Sequence, residues 1–145
     1  MPEPVEVAIN AALIARAQAF ATAQGISISH QKIAFTPPVA TPATKWLRAT
    51  FLPAPTATLP VGSGADRYSG VLQIDVFWGA TAGEYLINAE RLASSIINYF
   101  GRGTVLTKDG FVVRINKRPS PGPMIVADGW AQIPITINYE AFATA

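Results

Sequence analysis

The run Arg67-Tyr68-Ser69-Gly70-Val71-Leu72-Gln73-Ile74-Asp75-Val76-Phe77-Trp78 decides the fold class. Tyr68, Gly70, Leu72, Ile74, Val76 and Trp78 fall on one side of an extended chain. Val71, Gln73, Asp75 and Phe77 fall on the other. Sustained alternation with β-branched and aromatic residues is the mark of a strand, because successive side chains in a strand point to opposite faces. Upstream, Lys45 to Leu52 repeats the pattern, with Leu47, Ala49 and Phe51 on one face and Trp46, Arg48 and Thr50 on the other. Pro53 to Ala65 lies between them and reads Pro-Ala-Pro-Thr-Ala-Thr-Leu-Pro-Val-Gly-Ser-Gly-Ala, with no charge. The spacing predicts a long hairpin whose connection is an extended arm at about 53–65. Connections of this length inside a compact domain usually carry function. Pro53, Pro55, Leu59, Pro60 and Val61 are the candidate contact residues of that arm.

Two helices flank this hairpin in sequence. Val5, Ile9, Ala12, Leu13, Ala17 and Phe20 recur at helical spacing in an alanine-rich stretch, and Gly25 supplies the stop. Downstream, Leu86, Ala89, Leu92, Ala93, Ile96, Ile97 and Phe100 form one apolar stripe. Thr81 with Glu84 three residues later reads as a capping box, and Gly101 and Gly103 close the helix. Ile26 and Ile28 alternate with serines, a strand pattern, and Lys32 to Phe35 has the makings of another short strand. Pro37, Pro38 and Pro42 then impose an extended loop.

The remainder is β again. Thr104 to Leu106 and Phe111 to Asn116 make a second hairpin turned at Lys108-Asp109-Gly110. Arg118 to Pro123 is a stiff proline-rich loop, and Met124 to Val126 is either a short strand or part of it. Trp130 to Tyr139 is the last strand, with Ala131, Ile133, Ile135, Ile137 and Tyr139 alternating against Trp130, Gln132, Thr136 and Asn138. Pro134 cannot donate to a ladder, so this strand is expected at an edge or locally irregular. The order helix, strands, helix, strands predicts an α+β two-layer sandwich. Its sheet is mixed but mostly antiparallel, and both helices cover one face. The 145 residues suit one domain.

Composition narrows function. Half the residues are hydrophobic and 14% are charged, so some apolar surface is expected to meet partners. No apolar run reaches the roughly 18 residues of a membrane span, since Asn10, Arg16 and Gln18 interrupt Val7 to Ala23. The acidic Met1-Pro2-Glu3-Pro4 start does not resemble a signal peptide, which points to a cytoplasmic site of synthesis. There is no cysteine, which removes disulfides, thiolate metal sites and cysteine nucleophiles. One histidine, His30, cannot build a zinc site by itself. No serine sits in a G-x-S-x-G elbow, and Gly62-Ser63-Gly64 lacks the Lys-Ser/Thr of a phosphate loop. Asp66 and Asp75 are too far apart along one strand to act as a carboxylate pair. The expectation is no catalytic residue, no metal and no cofactor.

The net charge is +2, but Arg102, Lys108, Arg114, Lys117 and Arg118 gather five positive charges against Asp109. A solvated hairpin face is one reading. A weak, sequence-independent contact with nucleic-acid phosphates is the other, and several copies around a ring would line a passage with positive charge.

From Thr44 onward the chain resembles the tail terminators of long-tailed, siphovirus-like phages. The resemblance is carried by Thr44 to Pro53, with its aromatic-Leu-Arg core at Trp46-Leu47-Arg48, and by Arg67 to Val76 after the arm. The helix exit Phe100-Gly101-Arg102-Gly103 and the closing strand Ile133 to Tyr139, proline included, complete it. The resemblance implies a hexameric ring that caps the tail tube and stops its elongation. It further implies a docking surface for the head–tail connector or stopper protein, and a lumen through which DNA passes without specific recognition. The implied partners are other copies of the chain, the tail tube protein, the connector and DNA, with no membrane. The implied place is the tail or neck of the virion. Two alternatives stand beside this one. One is another neck or tail-completion protein that joins head and tail. The other is a small hot-dog-like enzyme using His30, Asp66, Asp75 or Glu84.

Overall fold

The computed structural model describes residues 4–31, 33–40, 44–58, 65–80, 84–108 and 110–144. In chain order the elements are α1 (Val5–Gln24), β1 (Ser27–His30), β2 (Lys45–Pro53), β3 (Ala57–Thr58), β4 (Ala65–Gly79), α2 (Tyr85–Tyr99), β5 (Val105–Lys108), β6 (Phe111–Ile115), β7 (Ser120–Pro121), β8 (Ile125–Ala127) and β9 (Trp130–Thr144). The sheet runs β1-β2-β4-β9-β6-β5, with β3 beside β4 and both β7 and β8 beside β9. β1 is parallel to β2 and every other pairing is antiparallel. This is the α+β sandwich with a mixed sheet that the alternation predicts.

β2 and β4 pair from Lys45↔Trp78 to Pro53↔Gly70, which is the expected long hairpin. β4 then pairs with β9 along its whole length, from Gly79↔Trp130 to Ala65↔Thr144. This register puts Leu47, Leu72, Ile74, Val76, Ile133, Ile135 and Ile137 on one face, all but fully buried under the helices. Ala8, Ala12, Ala17 and Ala21 let α1 lie close to the sheet, while Ile9, Leu13 and Phe20 fill the space between. α1 packs on β1 and β2 near one edge and on β5 and β6 at the other, so the sheet curls around it. α2 covers β4 and β9. The helices meet where Arg16 donates to the carbonyl of Tyr99 and lies over the Tyr99 ring at 3.9 Å. That contact places a cation at the negative C-terminal end of α2. Gly25 ends α1 in the left-handed conformation at φ 67°.

Several expectations need correction. Glu84 is not the third helical residue of a capping box. It precedes α2 at φ 72° and its side chain makes no cap hydrogen bond, while Thr81 lies outside the described residues. Because α2 starts at Tyr85, Leu86 turns outward and is half exposed beside Ile87. The residues from Ile33 to Ala40 form no strand, and Lys32 lies outside the described residues. Pro134 does not mark an edge, because β9 lies between β4 and β6. The irregularity is instead local. The Pro134 carbonyl points to the β7 side, where it accepts from the Gly122 N–H at 2.7 Å. A strand residue aims its N–H and C=O to the same side, so the missing donor faces the break between β7 and β8 rather than β4.

Candidate functional site

The face of the sheet turned away from the helices carries the second set of alternating residues. At one end Trp46 stacks on Phe77 at 4.0 Å between ring centroids, Phe35 stacks on Trp46 at 5.2 Å, and Trp130 meets Trp46 edge-on. Trp46 and Phe77 are thereby buried on a face the alternation leaves open. Next to them, the fully buried Asp75 accepts from Arg48 Nη2 at 3.0 Å and Nε at 3.1 Å. Gln73 donates to its other oxygen at 3.0 Å. Toward the far end, Arg67 pairs with Glu140 at 3.2 Å.

The residues named from the sequence distribute unequally. Pro53 closes β2 opposite Gly70, and Pro55 is exposed. Leu59, Pro60 and Val61 lie outside the described residues. The base of the arm is pinned, since Ala57 and Thr58 pair with Arg67 and Asp66 of β4 and the Ala54 N–H donates to Ser69. Of the basic residues, Arg102 and Arg114 come together around a shallow hollow of about 180 Å³ that Glu140 shares. Lys108 is at the end of β5 in the hairpin, and Lys117 is exposed on the following turn. Arg118 donates to Asn98 on α2 at 3.2 Å, away from the hairpin ladder. The five cations therefore form no single patch in one chain.

The four residues an enzyme would call on do not converge. His30 projects to the helix side, where it bonds Gln18 on α1 at 3.0 Å, and burial lowers its pKa. Asp75 projects to the opposite face with both oxygens engaged. Asp66 lies at the base of the arm, close enough to Tyr68 that it and Glu6 add to the burial that raises the tyrosine pKa. Glu84 sits at the start of α2. No group of three or more metal-binding side chains occurs among the described residues. No helix there is long and apolar enough to cross a membrane.

Sequence reasoning did not pair Arg48 with Asp75, although both belong to the outward set of one hairpin. Counting back from a two-strand register would have placed them opposite each other, as the Arg48↔Asp75 pairing does. The aromatic cluster had a weaker signal, because Phe35 reaches it from a segment without strand structure.

The family described as phage tail terminator protein matches residues 8–139, nearly the whole chain. The chain belongs to that family. It is therefore a structural protein of a phage tail and a component of the virion. One solved structure aligns with it over 96% of each chain, with a TM-score of 0.78 and 27% sequence identity. No similar protein was found among curated sequences.

Proposed function

We propose that this tail terminator forms a homo-hexameric ring at the head-proximal end of the tail tube, in the neck. One side of the ring caps the tube and stops its elongation, and the other docks the head–tail connector. The observation that carries this reading is membership of the terminator family from residue 8 to residue 139. The geometry is compatible with it. A closed ring needs two different, mating surfaces on each copy. The sheet has dissimilar edges, β1 with Ser27–His30 and β5 with Val105–Lys108. The exposed aliphatic side chains of Ile33, Val39, Leu86, Ile87, Ile125 and Val126 supply apolar contact area.

Arg102, Lys108, Arg114, Lys117 and Arg118 face the lumen or a partner in this reading, and ring symmetry multiplies their modest charge. Contact with DNA is then through phosphates and independent of sequence. The protein is made in the host cytoplasm and takes its place on a finished tube. Removing the gene from the phage tests the whole proposal. The expected result is overlong tails that fail to join heads. Tails of normal length that still fail to join heads would assign the chain to head–tail joining instead. Normal tails on infectious particles would end the proposal.

A further inference from the structure

We propose that the arm of one copy, through Leu59 and Val61, seats in the groove between α2 and the β7–β8 connection of a neighbouring copy. This inference rests on the ring reading. The groove holds about 270 Å³. Its floor is apolar, made by Ala93 and Ile97 of α2 and Ile133 of β9, and Pro121 and Met124 wall it on the side across from the helix. Glu90 and Ser94 stand at the rim with oxygen atoms able to accept backbone N–H groups.

Such a groove suits an extended, uncharged segment with a few aliphatic side chains. Residues 59–64, Leu-Pro-Val-Gly-Ser-Gly, have that chemistry. No charge must be stripped of water, and the proline restricts the free segment and so lowers the cost of ordering it.

The arm cannot fill the groove of its own chain. Thr58 pairs with Asp66, and Asp66 with Ala143, so both ends of the six-residue segment are held together at one end of β9. A loop anchored in this way extends about half its contour, roughly 12 Å. The groove lies beside Ile133, ten strand steps from Ala143, which is roughly 33 Å along β9. Coiling of the strand recovers part of that distance and not all of it. The seat therefore belongs to a second copy. Arm and groove stand at opposite ends of β9, so the contact is head-to-tail, the kind that generates a ring.

The chain has no cysteine, so engineered thiols are free of competitors. Full-length protein carrying both Leu59→Cys and Ser94→Cys is oxidised at a concentration that gives rings. The expected product is a ladder of cross-linked oligomers on a denaturing gel. Mixing the two single variants should give one cross-linked dimer band. Ser94 is exposed, so Ser94→Arg obstructs the groove without entering the core. It should weaken self-association at least about ten-fold in sedimentation, a loss of about 1.4 kcal/mol. Rings in micrographs without a ladder, and with Ser94→Arg assembling normally, overturn the groove assignment and leave the ring intact. Cross-links confined within one chain overturn the second-copy assignment. Failure of the unmodified chain to form rings, alone or on tail tubes, overturns the ring reading first and this inference with it.

Discussion

Arg48 and Asp75 face each other across the β2–β4 ladder and join through two nitrogens and one oxygen, at 3.0 and 3.1 Å. The carboxylate is fully buried while the arginine side chain remains 45% exposed. Arg48 also lies 5.1 Å from the centre of the Phe77 ring, so the ion pair is continuous with the aromatic cluster. A carboxylate taken out of water needs such partners, since its desolvation alone costs several kcal/mol.

Arg48→Ala leaves that charge with Gln73 as its side-chain partner. Breaking a fully buried pair costs about 3–5 kcal/mol. Solvent around Arg48 screens the pair, so a loss of about 2–3 kcal/mol is expected in urea unfolding. Asp75→Asn keeps the shape and removes the charge, and should cost less. Equal stability of Arg48→Ala and the unmodified protein would show that the pair does not hold the face together.

Gly70 is where the hairpin backbone comes closest to its neighbours. A Cβ added there would sit 2.6 Å from the Leu52 carbonyl oxygen, 2.8 Å from Pro53 Cα and 2.8 Å from the Tyr139 hydroxyl. Two of these are backbone atoms that cannot swing aside. Gly70→Ala should therefore destabilise by about 1–3 kcal/mol, the usual cost of overpacking. Hydrogen exchange should speed up first around Leu52 and Ser69, at the base of the arm. Unchanged exchange there would mean that the strands shift freely, against the close approach described.

The alternation of residues 67–78 and the helical stripes made the sandwich legible, because burial on one face imposes period two on strands and period near four on helices. Leu72, Ile74 and Val76 are buried as that pattern requires. The pattern failed where a tertiary neighbour decides the outcome. Phe77 and Trp46 belong to the outward set, yet Phe35 and Trp130 cover them. Pro134 argues for an edge by itself, and the Gly122 N–H on its carbonyl shows why a central strand tolerates it. A local signal also exists for the β8–β9 hairpin. Asp128 and Gly129 both have positive φ, at 53° and 79°, between Ala127 and its partner Trp130. That is the pair a two-residue hairpin turn demands. The surfaces proposed for assembly were legible as composition, an uncharged arm and a run of cations. Their arrangement was not, since it depends on how β3 is pinned to β4 and on Arg118 leaving the hairpin for Asn98.

Tyr139 supplies a pH test. Burial under the helices pushes its pKa from 10.0 to about 12. In the unfolded chain the phenol ionises first, so between pH 10 and about 12 deprotonation favours unfolding. The stabilisation is fully present below pH 10 and is lost as the pH rises through about 12, to the extent of roughly 3 kcal/mol. Tyr139→Phe should remove that component of the alkaline decline, seen as a shallower fall in unfolding free energy across the window. An identical decline in both proteins would assign it to other groups.

The assembly role proposed for the arm can be tested apart from folding. Ala57 and Thr58 are bonded to β4 and belong to the sheet, whereas residues 59–64 carry no charge. Exchanging 59–64 for a short Gly-Ser turn should leave the circular dichroism spectrum unchanged and move the thermal midpoint by no more than a few degrees, the equivalent of about 1 kcal/mol. If the arm is a mating surface as proposed, complementing a gene-deleted phage with this variant should still leave tails unjoined to heads. Full complementation by the folded variant would remove the arm from the assembly mechanism and return attention to the β1 and β5 edges.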